Sequence, residues 1–222
     1  FTAENGYAMA GAYASGEVVE SMGGGICQVA TTLYNAIIRA ELEVTERYNH
    51  QMVVSYVPIS ADAAISGTVQ DFKFKNTLDT PVYIEGSTYN RNITFTIYGE
   101  ETRDSNRTIE FESETTSTTQ PGKPIKTKDK TLEKGETKVT QPAHVGYTGV
   151  LWKIVYENGV QVEKIKMNSS RYNPSPERIT VGTKKVKDKD KDEDAEEGEE
   201  SDEDIADEEA TTQEAVTTET PV

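Results

Sequence analysis

The sequence predicts an α+β fold for its N-terminal part, followed by a small, elongated all-β module and a disordered acidic tail. Three observations lead to this prediction. One early segment has helical periodicity, the segments after it alternate in the manner of strands, and the end of the chain is strongly acidic. The expected boundaries are 1–101, 106–183 and 184–222.

The only good helical signal follows three consecutive glycines. Apolar residues recur there at three- and four-residue steps, namely Ile26, Val29, Ala30, Leu33, Tyr34, Ala36, Ile37 and Ala40. Neither Pro nor Gly interrupts the chain between Ile26 and Tyr56. The pattern therefore predicts one amphipathic helix from Ile26 to Arg39.

The rest of the N-terminal part has the alternation typical of strands. Strands are expected at residues 52–57, 68–75, 82–86 and 93–98, with turns at residues 76–81 and 89–92. One helix followed by these strands predicts an antiparallel β meander. The module after it has alternating residues at 108–111 and further strands near Val139 and at 150–156 and 160–165. Asn158-Gly159 predicts a tight hairpin, because both central residues of a type I′ turn need positive φ.

The charge of the chain is concentrated at its end. The formal net charge is −16, and residues 187–222 carry 17 acidic residues and three lysines, a net of −14. The remaining −2 leaves no basic face that could displace counterions from phosphate, which argues against a nucleic-acid partner. A tail without aromatic residues and with this self-repulsion is expected to stay unfolded, either as a solvated spacer or as a weak cation-binding brush.

Chemistry is expected at Cys27, the one cysteine of the chain. It falls in the first turn of the predicted helix, where unpaired N–H groups and the helix dipole stabilise a thiolate. Free N–H groups there could also bind an oxyanion. We therefore expect Gly24, Gly25 and Gln28, with Tyr34 further along the helix, to bind substrate.

A thiolate nucleophile needs a base, and the N-terminal part contains one histidine, His50. Asp62 and Asn49 are candidates for the group that orients the imidazole, and Asp71 is a weaker one. The expected catalytic set is Cys27, His50 and Asp62. No paired ligand spacing accompanies the cysteine, so neither a metal nor another cofactor is expected. The alternative is that Cys27 is a buried, structural residue.

The residues around Cys27 resemble the signature of the VanW domain, named for an accessory protein of glycopeptide-resistance clusters. The similarity covers about residues 5–99, and its start is truncated relative to a whole domain. It is carried by Gly24-Gly25-Ile26-Cys27-Gln28-Val29, Thr31-Thr32-Leu33-Tyr34-Asn35-Ala36, His50, Ser55-Tyr56-Val57-Pro58, Asp62-Ala63 and Asp71-Phe72-Lys73-Phe74-Lys75-Asn76. The resemblance implies a peptidoglycan context and, in some members, L,D-transpeptidase activity through a cysteine acyl-enzyme.

The second part of the chain resembles the five-glycine (G-five) β-module of bacterial envelope proteins. The similarity is carried by Gly135, Gly146, Gly149, Gly159, Gly182 and the segment Pro176-Glu177-Arg178-Ile179-Thr180-Val181-Gly182. Such modules are thought to adhere to cell-wall glycans. Tyr147, Trp152, Tyr156 and Tyr172 are therefore either sugar-stacking residues or ordinary strand aromatics.

These resemblances imply a bacterial cell-envelope protein located outside the cytoplasm, with any membrane anchor or signal lying upstream. The expected partners are peptidoglycan stem peptides and wall glycan. Three functions stay open from the sequence: a transpeptidase, a non-catalytic wall-binding or scaffolding protein with a structural Cys27, and a stem-peptide hydrolase. The sequence does not indicate an oligomeric state. It contains no apolar run long enough to span a bilayer.

Overall fold

The computed structural model describes residues 1–14 and 17–184 and is mostly β in this part of the chain. A 3-10 turn at Ala3–Asn5 precedes the first hairpin, and one α-helix, α1 (Ile26–Arg39), follows it. The strands are β1 (Met9–Ala14), β2 (Glu17–Met22), β3 (Glu43–Glu46), β4 (Lys73–Lys75), β5 (Tyr83–Tyr89), β6 (Asn92–Tyr98), β7 (Arg107–Thr119), β8 (Ile125–Glu133), β9 (Thr137–Gln141), β10 (Gly146–Glu157), β11 (Val160–Tyr172) and β12 (Arg178–Lys184). The acidic tail is predicted to begin at residue 184, and its residues after Lys184 lie outside the described ranges.

The strands of the described ranges form five small sheets. Three are two-stranded pairs, β1–β2, β3–β4 and β5–β6, and two are three-stranded, in the orders β11-β10-β7 and β8-β12-β9. The pairing is antiparallel except between β12 and β8, which are parallel. None of the helical segments in the described ranges is long and apolar enough to cross a membrane.

The helix prediction is confirmed with the expected bounds, Ile26–Arg39. The hairpin at Asn158-Gly159 is also confirmed, since both residues have positive φ, 51° and 78°. The predicted strand at residues 52–57 is wrong, because that segment consists of bends and irregular backbone. The expected antiparallel meander is confirmed only in part. The pairs β3–β4 and β5–β6 are antiparallel, but β3 pairs with β4 across a long irregular segment, and β5 and β6 form a separate hairpin.

The hydrophobic core contains residues from both halves of the described chain. Tyr34 and Ile38 of α1 pack with Ala61 and Ala63, and Leu151 of β10 completes the same cluster. Partly buried hydrophobic side chains surround it: Val44, Val57, Phe72, Phe111 and Met167. Residues 1–186 accordingly form one compact unit, and the boundary expected near residues 101–106 stays a prediction.

A charged cluster lies beside this core. Glu41, directly after α1, accepts hydrogen bonds from both terminal nitrogens of Arg107 on β7 and from Lys153 on β10. The guanidinium of Arg107 outweighs partial burial, and with Lys153 it lowers the pKa of Glu41 to about 2. The cluster therefore ties the end of the helix to the β7–β10 pair.

Candidate active site

Three glycines shape the start of α1. Gly23 and Gly25 have positive φ, 78° and 89°, a region that costs little only for glycine. A Cβ on Gly24 would collide with the backbone carbonyl of Ala10 in β1. The glycine run is thus required by the close approach of the first hairpin to the helix, and it places Cys27 as the second residue of α1.

Cys27 lines a cleft of about 530 Å³ between the first hairpin and the loop after Ala64. Gly24, Gly25, Gln28 and His50 line the same cleft, together with Ala12, Val19 and Ser21 of the hairpin and residues 65–67 of the loop. Cys27 is half-buried and its Sγ lies 3.4 Å from the Ile65 carbonyl oxygen. The thiol is therefore reachable from the cleft, in contrast to a sulfur packed among aliphatic side chains.

Cys27 and His50 both line the cleft, and each shifts the pKa of the other. Burial alone raises the pKa of the Cys27 thiol, but the hydrogen bond and positive charge of His50, together with the backbone of Ile65, bring it below its ordinary value. Burial lowers the pKa of His50, and the hydrogen bonds to Asp62 and Cys27 overcome that effect and raise it to about 9. Both directions favour a thiolate–imidazolium pair.

Asp62 orients the imidazole. The Nδ1 atom of His50 lies 2.7 Å from Asp62 Oδ2, and the same oxygen accepts the backbone N–H of His50 at 2.7 Å. With Nδ1–H donated to the carboxylate, Nε2 is left for the thiol; the hydroxyl of Tyr56 lies 3.4 Å from it. The Asn49 amide donates instead to the carbonyls of His50 and Arg171. Asp71 is exposed and pairs with neighbouring residues.

The Asp62 side chain is fully buried and keeps its charge through other donors. Arg47 Nη2 donates to Oδ1 at 2.8 Å, and the Tyr172 hydroxyl donates to the same oxygen at 2.5 Å. Burial raises the pKa of Asp62, but the hydrogen bonds with His50 and Tyr172 and the charge of Arg47 lower it overall. The carboxylate therefore stays ionised, with four hydrogen bonds from three residues.

The helix also holds the loop that carries Asp62. Thr31 Oγ1 donates to the carbonyl of Ala63 and accepts its N–H, at 3.1 and 3.0 Å. Asn35 Nδ2 donates to the carbonyl of Ala61 at 2.7 Å. These contacts explain why the polar Thr31 and Asn35 occur on the side of the helix that faces this loop.

The predicted oxyanion-binding residues differ in whether their backbone N–H groups are already hydrogen-bonded. The N–H groups of Gly24 and Gln28 are already bonded to the carbonyls of Ser21 and Gly25, so these two backbone donors are not available. Within the described part of the chain, the N–H groups of Gly25 and Cys27 have no backbone acceptor. They are therefore the donors that an oxyanion beside Cys27 could use.

The expectation that Tyr34 binds substrate is corrected by its burial. Only 2% of Tyr34 is exposed, it lies in the core, and its hydroxyl accepts a hydrogen bond from Asn168 at 2.7 Å. Arg47 stacks over its ring, 5.7 Å from the centroid. Tyr172 is likewise 2% exposed, which excludes it as a sugar-stacking residue. The sequence-based reasoning missed Arg47 and Tyr172 as site residues, since neither lies in a local pattern that indicates contact with Asp62.

The thiol of Cys27, the imidazole of His50 and the buried carboxylate of Asp62 together form a candidate Cys–His–Asp site. Residues 1–98 match the family model described as "VanW like protein", and residues 101–184 match the model described as "G5 domain". The resemblances stated from the motifs are thus confirmed: a VanW-like segment is followed by a G5 segment. Together the two segments suggest a protein associated with the cell envelope.

Similar proteins include "Uncharacterized protein YoaR" of Bacillus subtilis (strain 168), which is 41% identical over 97 residues. The alignment covers 44% of this chain and 32% of that protein, so the chain spans about a third of the length of this curated relative. Similar solved structures include "IgA1 Protease G5 domain structure" (22% identity, 35% of this chain, 93% of that chain, TM-score 0.24) and "Crystal structure of HP0197-G5" (15% identity, 35% of this chain, 100% of that chain, TM-score 0.19).

Proposed function

We propose that this chain is a bacterial cell-envelope protein that acts on peptidoglycan as a cysteine-dependent L,D-transpeptidase. The observation that carries the proposal is the position of Cys27 at a helix N-terminus, in a cleft that it shares with an imidazole that a buried carboxylate orients. Geometry and pKa directions both favour an activated thiolate. The VanW-like and G5 segments support peptidoglycan as the substrate.

In the proposed acylation step, the Cys27 thiolate attacks the carbonyl carbon of the third stem residue. The N–H groups of Cys27 and Gly25 stabilise the negative charge that develops on the carbonyl oxygen. The His50 imidazolium gives its Nε2 proton to the nitrogen of the terminal D-amino acid, which leaves as the amine, and a thioester remains.

In the second step, an amine of another stem attacks the thioester carbonyl carbon. His50 Nε2 takes the proton of that amine, the carbon–sulfur bond breaks, and the thiolate returns. The product is a crosslinked pair of stems. If water attacks in place of the amine, the same residues carry out hydrolysis and the product is a tripeptide stem.

The main test is mass spectrometry of purified tetrapeptide stems incubated with the full chain. The expected product is a crosslinked dimer together with the released D-amino acid, and Cys27→Ala should abolish it. Val29→Ala is a matched control, because Val29 is an exposed residue two positions further along the same helix and does not line the cleft. Crosslinking that persists in Cys27→Ala would remove the mechanism, and a tripeptide alone would identify a hydrolase.

Thiolate activation can be measured without any stem substrate. Cys27 should react with iodoacetamide faster than free cysteine near neutral pH, because the pKa of its thiol is lowered. The rate is followed by the mass increase of the intact chain between pH 5 and 9. A rate equal to that of free cysteine at every pH would support the non-catalytic, wall-binding alternative.

A further inference from the structure

The end of strand β11 runs along the loops that carry His50 and Asp62. Arg47 Nη1 donates to Ser170 Oγ at 2.9 Å, and Asn49 Nδ2 donates to the carbonyl of Arg171 at 2.8 Å. The N–H of Asn173 donates to the carbonyl of Gln51 at 2.6 Å. The G5 segment thus contacts the loop from Arg47 to Gln51 along its whole length.

Tyr172 connects this strand to the site most directly. Its hydroxyl donates to Asp62 Oδ1 and accepts the N–H of Ser60 at 2.8 Å, although 110 residues separate Tyr172 from Asp62 in sequence. Tyr172 does not line the cleft among the described lining residues. Its hydroxyl therefore acts on Asp62 and has no route to the reacting atoms of a substrate.

A close approach of backbone makes this arrangement possible. A Cβ on Gly149 of β10 would collide with the side chain of Ile59 and lie 2.8 Å from the carbonyl of Glu114. Ser113 Oγ of β7 also donates to the carbonyl of Ile59 at 2.6 Å. One glycine of the five-glycine pattern is therefore needed to seat the loop that carries Asp62 on the G5 sheet.

We propose that the G5 segment is a structural part of the active site and that Tyr172 is a positioning residue for Asp62, which orients His50. This proposal rests on the proposed function, and the evidence for it is the geometry of the hydrogen bonds described above. The Tyr172 hydroxyl takes up part of the negative charge of Asp62, as Arg47 does on the same oxygen. The remaining charge faces His50, which Cys27 and Tyr56 approach from its other side.

The test is a pH titration of His50, followed by NMR through the signals of the histidine rings in the full chain. The chain has two histidines, so His144 gives the reference signal and a His144→Gln variant assigns it. In Tyr172→Phe the ring packing is kept and one donor to Asp62 is lost. Three other hydrogen bonds still hold the carboxylate, so its charge on His50 increases and the pKa of His50 should rise by at least about half a unit.

Two further variants complete the test. Ser170→Ala should shift the titration in the same direction but less, because Ser170 bonds both Arg47 and Tyr172; this variant decides the question if Tyr172→Phe does not fold. Tyr156→Phe removes a hydroxyl from the same segment without touching Asp62 and should leave the titration unchanged. An unchanged or downward shift of the His50 titration in Tyr172→Phe, or in Ser170→Ala where that variant decides, would overturn the assignment.

Kinetics separate positioning from simple stability. In Tyr172→Phe, kcat for crosslinking should fall by a factor on the order of three to ten with KM unchanged, since half to one pKa unit changes proton-transfer free energy by that factor. A change confined to KM or to the melting temperature would contradict a positioning role. The titration uses the protein without substrate, so it gives its answer even if Cys27→Ala shows that the proposed reaction is wrong.

Discussion

Asp62→Asn is the substitution that tests the candidate site most severely. The carboxylate that the amide replaces is fully buried and takes part in four hydrogen bonds. The substitution also removes the charge that pairs with Arg47 at 2.8 Å. Arg47 has only 6% of its side chain exposed, so its charge would be left buried without its carboxylate partner. Breaking a buried ion pair in this way costs about 3 to 5 kcal/mol of unfolding free energy.

The substitution also changes the pKa of His50. Asp62 is the main reason that the pKa of His50 rises from 6.5 to about 9, and burial alone would lower it. In Asp62→Asn the pKa of His50 should therefore fall well below 9, because only Cys27 then opposes the effect of burial. A larger share of the imidazole is then neutral at pH 7.5, so the Cys27 thiolate is less stabilised.

Three measurements check this prediction. Urea unfolding gives the change in stability, histidine NMR gives the pKa of His50, and iodoacetamide labelling at pH 7.5 gives the reactivity of Cys27. Asp71→Asn is the matched control, because Asp71 is an exposed aspartate that accepts the backbone N–H of Phe72 and pairs with Lys73. A His50 pKa that stays near 9 with normal Cys27 labelling would refute the role assigned to Asp62.

The remaining predictions concern the contacts around the site. Glu41→Gln should lower the unfolding free energy by about 1 kcal/mol at pH 7, a figure reduced for partial exposure. Because the pKa of Glu41 is depressed from 4.5 to about 2, this difference should be complete above pH 4.5 and disappear as the pH falls through 2, as urea unfolding at several pH values would show. Gly149→Ala should destabilise by about 1 to 3 kcal/mol and slow Cys27 labelling, whereas Gly11→Ala, where a Cβ meets nothing within 4 Å, should leave thermal unfolding nearly unchanged. Thr31→Val should cost about 1 to 3 kcal/mol because a buried N–H loses its acceptor, whereas Thr32→Val, whose hydroxyl bonds only within the helix, should cost much less in the same unfolding assay.

The local elements with strong patterns were predictable from the sequence. The three- and four-residue spacing of apolar side chains gave the bounds of α1, and Asn158-Gly159 gave the hairpin between β10 and β11. The segment at residues 52–57 failed for a physical reason. Its Val54 is buried against the core, but its chain does not pair with another strand, and alternation alone does not distinguish these two cases.

The candidate site divides in the same way. The glycine run and the start of the helix determined where Cys27 lies, since helix N-termini have free N–H groups whatever the rest of the fold. The choice of Asp62 over Asn49 as the partner of His50 depended on how the loop after Pro58 folds back onto α1, which Thr31 and Asn35 fix through long-range hydrogen bonds.

The sequence by itself determined the thiol, the helix that presents it and the two family segments, because these depend on short-range spacing and motif residues. Only the tertiary structure decided that Tyr172 and Ser170 reach the site, that Tyr34 is a core residue, and that both segments share one core. The physical reason is that burial and long-range hydrogen bonds join residues more than 100 positions apart, and no local pattern in the chain encodes such a contact.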